Sequence, residues 1–96
     1  MLEIRPNCEN CGKSLTYNAE DAMICSFECT FCQNCVENIL YNVCPNCGGG
    51  FTPRPVRPKA YLEKYPPSQT KVYKPVDLEA FQILLERFRF IKPGER

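Results

Sequence analysis

The sequence predicts a small α+β domain organised around its cysteines rather than around a large apolar core, followed by an extended segment and one C-terminal helix. Three observations carry that expectation. Eight cysteines fall in close pairs within residues 1–52. Six prolines punctuate residues 53–75. From Val76 onward apolar residues recur at helical spacing. The whole chain of 96 residues amounts to at most one ordinary domain.

Composition excludes several classes of function. Histidine is absent, which removes histidine acid–base catalysis, Ser-His-Asp and Cys-His nucleophile pairs and histidine metal ligands together. With 24% charged residues and a formal charge of +1, the chain fits neither a highly charged disordered segment nor a uniformly basic nucleic-acid binder. No apolar run approaches the ~20 residues of a membrane span, and the opening MLEIRPNCEN has no apolar stretch of signal-peptide length. A cytoplasmic protein is therefore expected. In a reducing cytosol, paired C-x-x-C spacings read as metal ligands rather than as a disulfide scaffold.

Charge divides the chain into zones. Residues 1–52 carry −4, residues 53–75 carry +5 and residues 76–96 are balanced. The first zone reads as the cysteine module. The second, with Pro53, Pro55, Pro58, Pro66, Pro67 and Pro75, is expected to be extended, because proline fixes φ and removes a donor. The third reads as a helix over 76–92. Asp77 can cap it, Val76 and Phe81 stand at the positions of a hydrophobic staple, and Pro93-Gly94 ends it.

The cysteine pattern is Cys8-x2-Cys11-x13-Cys25-x3-Cys29-x2-Cys32-x2-Cys35-x8-Cys44-x2-Cys47. Zinc takes four soft ligands in a tetrahedron, so eight thiolates in four short-spaced pairs make two closed four-cysteine sites, two Zn²⁺ per chain. Gly12 and Gly48 each follow the second cysteine of a pair, where a knuckle turns N–H groups toward sulfur and glycine tolerates a positive φ. An iron–sulfur reading of Cys29-x2-Cys32-x2-Cys35 fails on the spacing to the next cysteine and leaves four cysteines unused.

The segment ECTFCQNCVENILYNVCPNC resembles a RING finger, with Cys29 at a position that is usually histidine and Phe31 matching its aromatic. Val36, Ile39 and Leu40 then lie on one face of a short core-packing helix. The stretch of about residues 1–75 more specifically resembles a family of short bacterial proteins of unknown function with RING-like cysteines. That resemblance implies a cross-brace: Cys8, Cys11, Cys32 and Cys35 on one zinc, and Cys25, Cys29, Cys44 and Cys47 on the other. Spacing alone leaves open a sequential, LIM-like grouping of Cys8, Cys11, Cys25 and Cys29, then Cys32, Cys35, Cys44 and Cys47, although the loop lengths sit better with a RING.

The resemblance does not extend to ubiquitin-ligase docking. The first C-x-x-C encloses Glu9 and Asn10 where such ligases usually carry an aliphatic residue, Gly48 stands where a cation is common, and no tryptophan is present. Only Pro45 of that contact set is in place. Closed thiolate sites also argue against zinc catalysis. The expected function is therefore a structural zinc module serving as a protein-interaction or scaffold domain, and not an enzyme. The alternative is nucleic-acid binding through residues 53–75, whose six cations interleave with Tyr61, Tyr65 and Tyr73. Against it, the zinc-loaded first zone would carry a formal charge near −8, drawing the basic segment back onto itself.

On the C-terminal helix, Leu78, Phe81, Leu84, Leu85, Phe88 and Ile91 form one apolar stripe, with Ile83 and Phe90 outside it. The apolar circumference exceeds what one small module needs. Phe81, Ile83, Phe88 and Phe90 are the expected contacts for a homodimer or a protein partner.

Overall fold

The structure is a computed structural model that describes residues 1–96. Its regular elements are short: β1 (Ala22–Ile24), β2 (Thr30–Cys32), α1 (Gln33–Asn38), β3 (Thr52–Pro53) and α2 (Leu78–Phe88). Single 3-10 turns lie at Lys59–Tyr61 and Pro93–Glu95. This is the small α+β arrangement with a C-terminal helix that the cysteine and proline patterns predict.

The strands form one antiparallel sheet in the order β2-β1-β3. Ala22 faces Cys32, Met23 faces Phe31 and Ile24 faces Thr30. Met23 and Ile24 also pair with Pro53 and Thr52 on the other edge. Proline is tolerated on β3 because it is an edge strand with one neighbour. Thr30-Phe31-Cys32 is buried along its whole length, which suits β-branched and aromatic residues, and it runs directly into α1.

Only six residues long, α1 turns Cys35 and Val36 inward. Of the expected helical face, Val36 and Leu40 are buried and Ile39 is half-buried, but the helix ends at Asn38. Tyr41 and Asn42 take positive φ values of 48° and 60°, and Asn42 N–H donates back to the carbonyl of Val36 at 3.1 Å. Asparagine tolerates this left-handed conformation, and its side chain is used as well: Asn42 Oδ1 accepts from Phe51 N–H at 2.9 Å. The backbone reversal thereby seats Phe51 against Phe31, edge to face at 5.4 Å between ring centroids. Leu15, Leu40 and Val43 complete the core around this pair.

The proline-rich stretch is tied down by its arginines. Arg54 is buried, and its guanidinium donates to the carbonyls of Arg5 (2.9 Å), Leu15 (3.3 Å) and Thr16 (2.7 Å). Burial holds its pKa below the usual arginine value, partly offset by Asp21. Arg57 likewise donates to the carbonyls of Tyr65 (2.7 Å) and Leu2 (2.6 Å). Two of the segment's six cations are thus spent on internal carbonyls.

Asp77 caps α2, accepting from the N–H groups of Glu79 (3.1 Å) and Ala80 (3.2 Å). The inward face is narrower than the helical wheel implies. Phe81 and Leu85 are buried, Leu84 and Phe88 half-buried, and Leu78 and Ile91 exposed. The helix also stops at Phe88 instead of continuing to 92; Arg89 caps it and Ile91 N–H turns back to the carbonyl of Phe88. No helix is long and apolar enough to cross a membrane.

Replacing Arg54 with Ala leaves three carbonyls without their charged donor, so unfolding free energy should fall by about 2–4 kcal/mol. Lys64→Ala, on an exposed side chain, should change it by less than about 0.5 kcal/mol. Parallel denaturant titrations of the two variants check the contrast.

Candidate metal centre

Two knuckles of the same design present the outer cysteines. In the first, Cys8 N–H donates to the carbonyl of Lys13 at 2.9 Å, and Gly12 N–H to that of Cys8 at 3.0 Å. In the second, Cys44 N–H donates to the carbonyl of Gly49 at 2.8 Å, and Gly48 N–H to that of Cys44 at 2.8 Å. Gly12 and Gly48 share a φ of +77°, which closes each loop at a conformation that glycine adopts without strain. Cys25-x3-Cys29 closes differently: Glu28, with φ 65°, takes the left-handed position, and Cys25 N–H donates to the carbonyl of Cys29 at 3.2 Å.

The fold brings Cys8, Cys11, Cys32 and Cys35 together, with all four Sγ atoms within 4.8 Å of one another. Cys8 and Cys11 come from the first knuckle, Cys32 from the end of β2 and Cys35 from α1. Cys8 Sγ and Cys35 Sγ are 3.8 Å apart, and Cys11 Sγ and Cys32 Sγ 3.7 Å. These separations decide the chemistry of the group. A disulfide needs about 2.05 Å, whereas four sulfurs at a Zn–S distance of about 2.3 Å in a tetrahedron stand about 3.8 Å apart. All eight cysteines are free thiols.

A second group joins Cys25, Cys44 and Cys47, again within 4.8 Å. Cys29 lies outside this tight group. Both groups could hold a metal ion. The first group joins the first and third cysteine pairs, and the second joins Cys25 with the fourth pair.

The surroundings favour anionic sulfur while burial opposes it. Phe27 N–H donates to Cys25 Sγ, Gly49 N–H to Cys47 Sγ and Asn10 Nδ2 to Cys35 Sγ, each at 3.4 Å. Burial pushes the thiols of Cys29, Cys32, Cys35 and Cys44 upward, opposed by hydrogen bonds from Asn46, the Cys35 backbone, Asn10 and the backbone of Asn46 and Cys47 respectively. At Cys11 burial also acts upward, but the Lys13 backbone and the neighbouring thiols outweigh it, and its pKa falls below the usual thiol value. Donors already aimed at sulfur, in pockets that penalise bare charge, fit a bound cation.

A cleft of about 250 Å³ is lined by Glu9, Phe31, Pro45 and Asn46 and by seven residues from Lys74 to Leu84. Glu9 is buried. Its carboxylate accepts from Thr30 N–H at 2.7 Å, from Arg5 at 2.8 Å and from Asn46 Nδ2 at 3.5 Å. The inter-cysteine residue that the sequence marks as an unsuitable docking group is in fact an internal brace. Its partners come from the N-terminal segment, β2 and the second knuckle, so no local signal announces this role.

Of the residues expected to meet a partner, Phe81 is turned into the domain's own core. Phe88 is half-buried, and a Cβ at Gly48 would stand 3.1 Å from its ring. Ile83 and Phe90 project into solvent, 75% and 90% exposed. In the basic segment Lys59, Lys64, Lys71 and Lys74 are exposed, as are Tyr61 and Tyr73, while Lys64 lies over the ring of Tyr65. Sequence reasoning missed Arg96, whose guanidinium donates to the carbonyls of Asn42 and Gly48, both at 2.9 Å.

Residues 1–57 match the model of a family described as "Protein of unknown function (DUF1272)". The chain is 56% identical over 75 residues to "Uncharacterized protein R02474" of Rhizobium meliloti (strain 1021), covering 78% of this chain and 89% of that protein. No solved structure matches.

Gly48→Ala should be costly twice over, through the positive φ and the Phe88 ring, and should lower stability by about 1–3 kcal/mol. Gly94→Ala, with nothing within 4 Å of the added carbon, should stay within about 0.5 kcal/mol of the parent. Thermal melts of both variants at equal metal content test the pair.

Proposed function

The chain belongs to the DUF1272 family of proteins of unknown function, and we propose that it is a structural two-zinc module with a RING-like cross-brace, acting as a protein-interaction or scaffold domain without catalysis of its own. The observation that carries this reading is the pair of sulfur–sulfur distances, 3.8 and 3.7 Å, in a four-cysteine group drawn from alternating pairs. One zinc takes Cys8, Cys11, Cys32 and Cys35. The other takes Cys25, Cys44 and Cys47, with Cys29 as the fourth ligand. A shift of its side chain toward Cys25, whose backbone N–H its carbonyl already accepts, completes the set.

Closed four-thiolate sites leave no position for water or substrate, which supports a structural rather than a catalytic role. With only 20 buried residues, the domain has little apolar core, and metal binding supplies folding free energy that such a core cannot. Ubiquitin-ligase activity is disfavoured on two grounds. Glu9 is committed internally, and the cleft beside Pro45 is covered by the chain's own residues 74–84. Nucleic-acid binding is weakened by the internal use of Arg54 and Arg57. Protein binding, to a second copy or to another protein, would use the exposed Ile83 and Phe90.

Elemental analysis of protein purified without added metal should give two equivalents of zinc; brown protein with visible charge-transfer absorption would refute the reading. Cys8→Ser/Cys11→Ser should lose one equivalent and keep the other, as read by cobalt substitution. Because each ligand must shed a proton, and burial has raised four of the eight thiols, affinity should fall as pH falls. A pH titration with a chromophoric chelator should therefore show zinc leaving on the acid side and retained above neutrality.

A further inference from the structure

Residues 68–76 run beside residues 4–10 in parallel, fastened at regular intervals. Ser68 N–H donates to the carbonyl of Ile4 at 2.9 Å, Asn7 Nδ2 to that of Val72 at 3.0 Å, and Lys74 N–H to that of Glu9 at 2.8 Å. The last fastening differs in kind: Val76 N–H donates to the side-chain Oδ1 of Asn10 at 2.9 Å. Val76 directly precedes Asp77, the cap of α2. The other end of the same amide, Asn10 Nδ2, donates to Cys35 Sγ at 3.4 Å. One side chain thus touches both a sulfur of the first cysteine group and the backbone that launches the C-terminal helix.

We infer that Asn10 is a positioning residue that couples metal occupancy of the first cysteine group to docking of α2, so that loss of that metal releases the helix. The inference rests on the metal reading proposed above. A sulfur held by a cation is a stationary, charged acceptor, and a hydrogen bond to it orients the amide plane. With Nδ2 so held, Oδ1 is presented to Val76. When the metal leaves, Cys35 is no longer pinned, the amide loses its orienting bond, and the entry to α2 loses its anchor. Release exposes Phe81 and Leu85, which α2 otherwise buries. Coupling is reciprocal, so a docked helix retards metal loss from the first group.

The test uses the full chain loaded with zinc, with stoichiometry measured first. A parent protein holding fewer than two zinc ions overturns the metal reading itself. Hydrogen exchange then follows the amides of Leu78–Phe88, and a chromophoric chelator follows zinc release; the release phase missing in Cys8→Ser identifies the first group. In Asn10→Ala with both zinc ions bound, α2 amides should exchange about tenfold faster and the first-group phase should quicken by a similar factor, with the second phase unchanged. Asn10→Asp keeps the acceptor for Val76 but not the donor to sulfur. Its α2 amides should lose protection together with the quickened first-group phase, because the bond that orients the acceptor is gone; a fully protected α2 in this variant overturns the coupling. Phe81→Ala, which loosens α2 from its buried side, should quicken that same phase. Unchanged α2 exchange in Asn10→Ala, or equal acceleration of both phases by Phe81→Ala, overturns the coupling. Should Asn10→Ala retain only the second zinc, an unprotected α2 supports the inference and a protected one refutes it.

Discussion

Sulfur atoms from four separate stretches of chain must meet within a few ångströms, and nearly every other feature is arranged around that convergence. Five of the fourteen residues in the hydrophobic cluster are cysteines, so the cysteine groups and the core are largely the same object. A core built this way gains little from apolar area alone. Its thiols repel one another if ionised and waste their donor-rich surroundings if not. On the proposed reading, a cation resolves both problems at once, and the fold and the metal site become a single equilibrium.

The short elements follow from this constraint. β2 and α1 are contiguous because Cys32 and Cys35 must reach the first group from either side of the strand-to-helix junction. Longer strands would carry the inter-cysteine loops away from each other. Turns therefore do much of the positioning, through left-handed residues at Gly12, Glu28, Tyr41, Asn42 and Gly48. Glu9 and Asn10, the two residues enclosed by the first pair, are spent on bracing: one toward β2 and the second knuckle, the other toward Cys35 and α2.

The C-terminal half acts as a clasp rather than an appendage. It is fastened to the first knuckle through residues 68–76 and to the second through Phe88 and Arg96. Gly50 abuts Pro93, where an added Cβ would stand 2.6 Å from the ring. A domain with so little core gains by wrapping its own chain over the loops that carry the cysteines. The same wrap closes the cleft beside Pro45 that would otherwise be open to a partner.

Much of this was legible in the residues themselves. Cysteine spacing announced the two clusters, Asp77 announced the start of α2, and glycine after Cys11 and Cys47 announced the knuckles, because each signal depends on a few neighbouring residues. The tertiary structure decided that the first and third pairs share a cluster, which spacing alone had left open, because the difference lies in where β2 and α1 place Cys32 and Cys35. It also decided how much of the apolar stripe is covered, with Phe81 and Leu85 buried but Leu78 and Ile91 exposed, because helical periodicity defines an apolar face but not how much body lies beneath it. Arg54, Arg57 and Arg96 read as ordinary surface cations; the carbonyls they satisfy lie far away in sequence. Local pattern carries torsional and spacing preferences, whereas the pairing of buried polar groups is settled only when distant backbone arrives beside them.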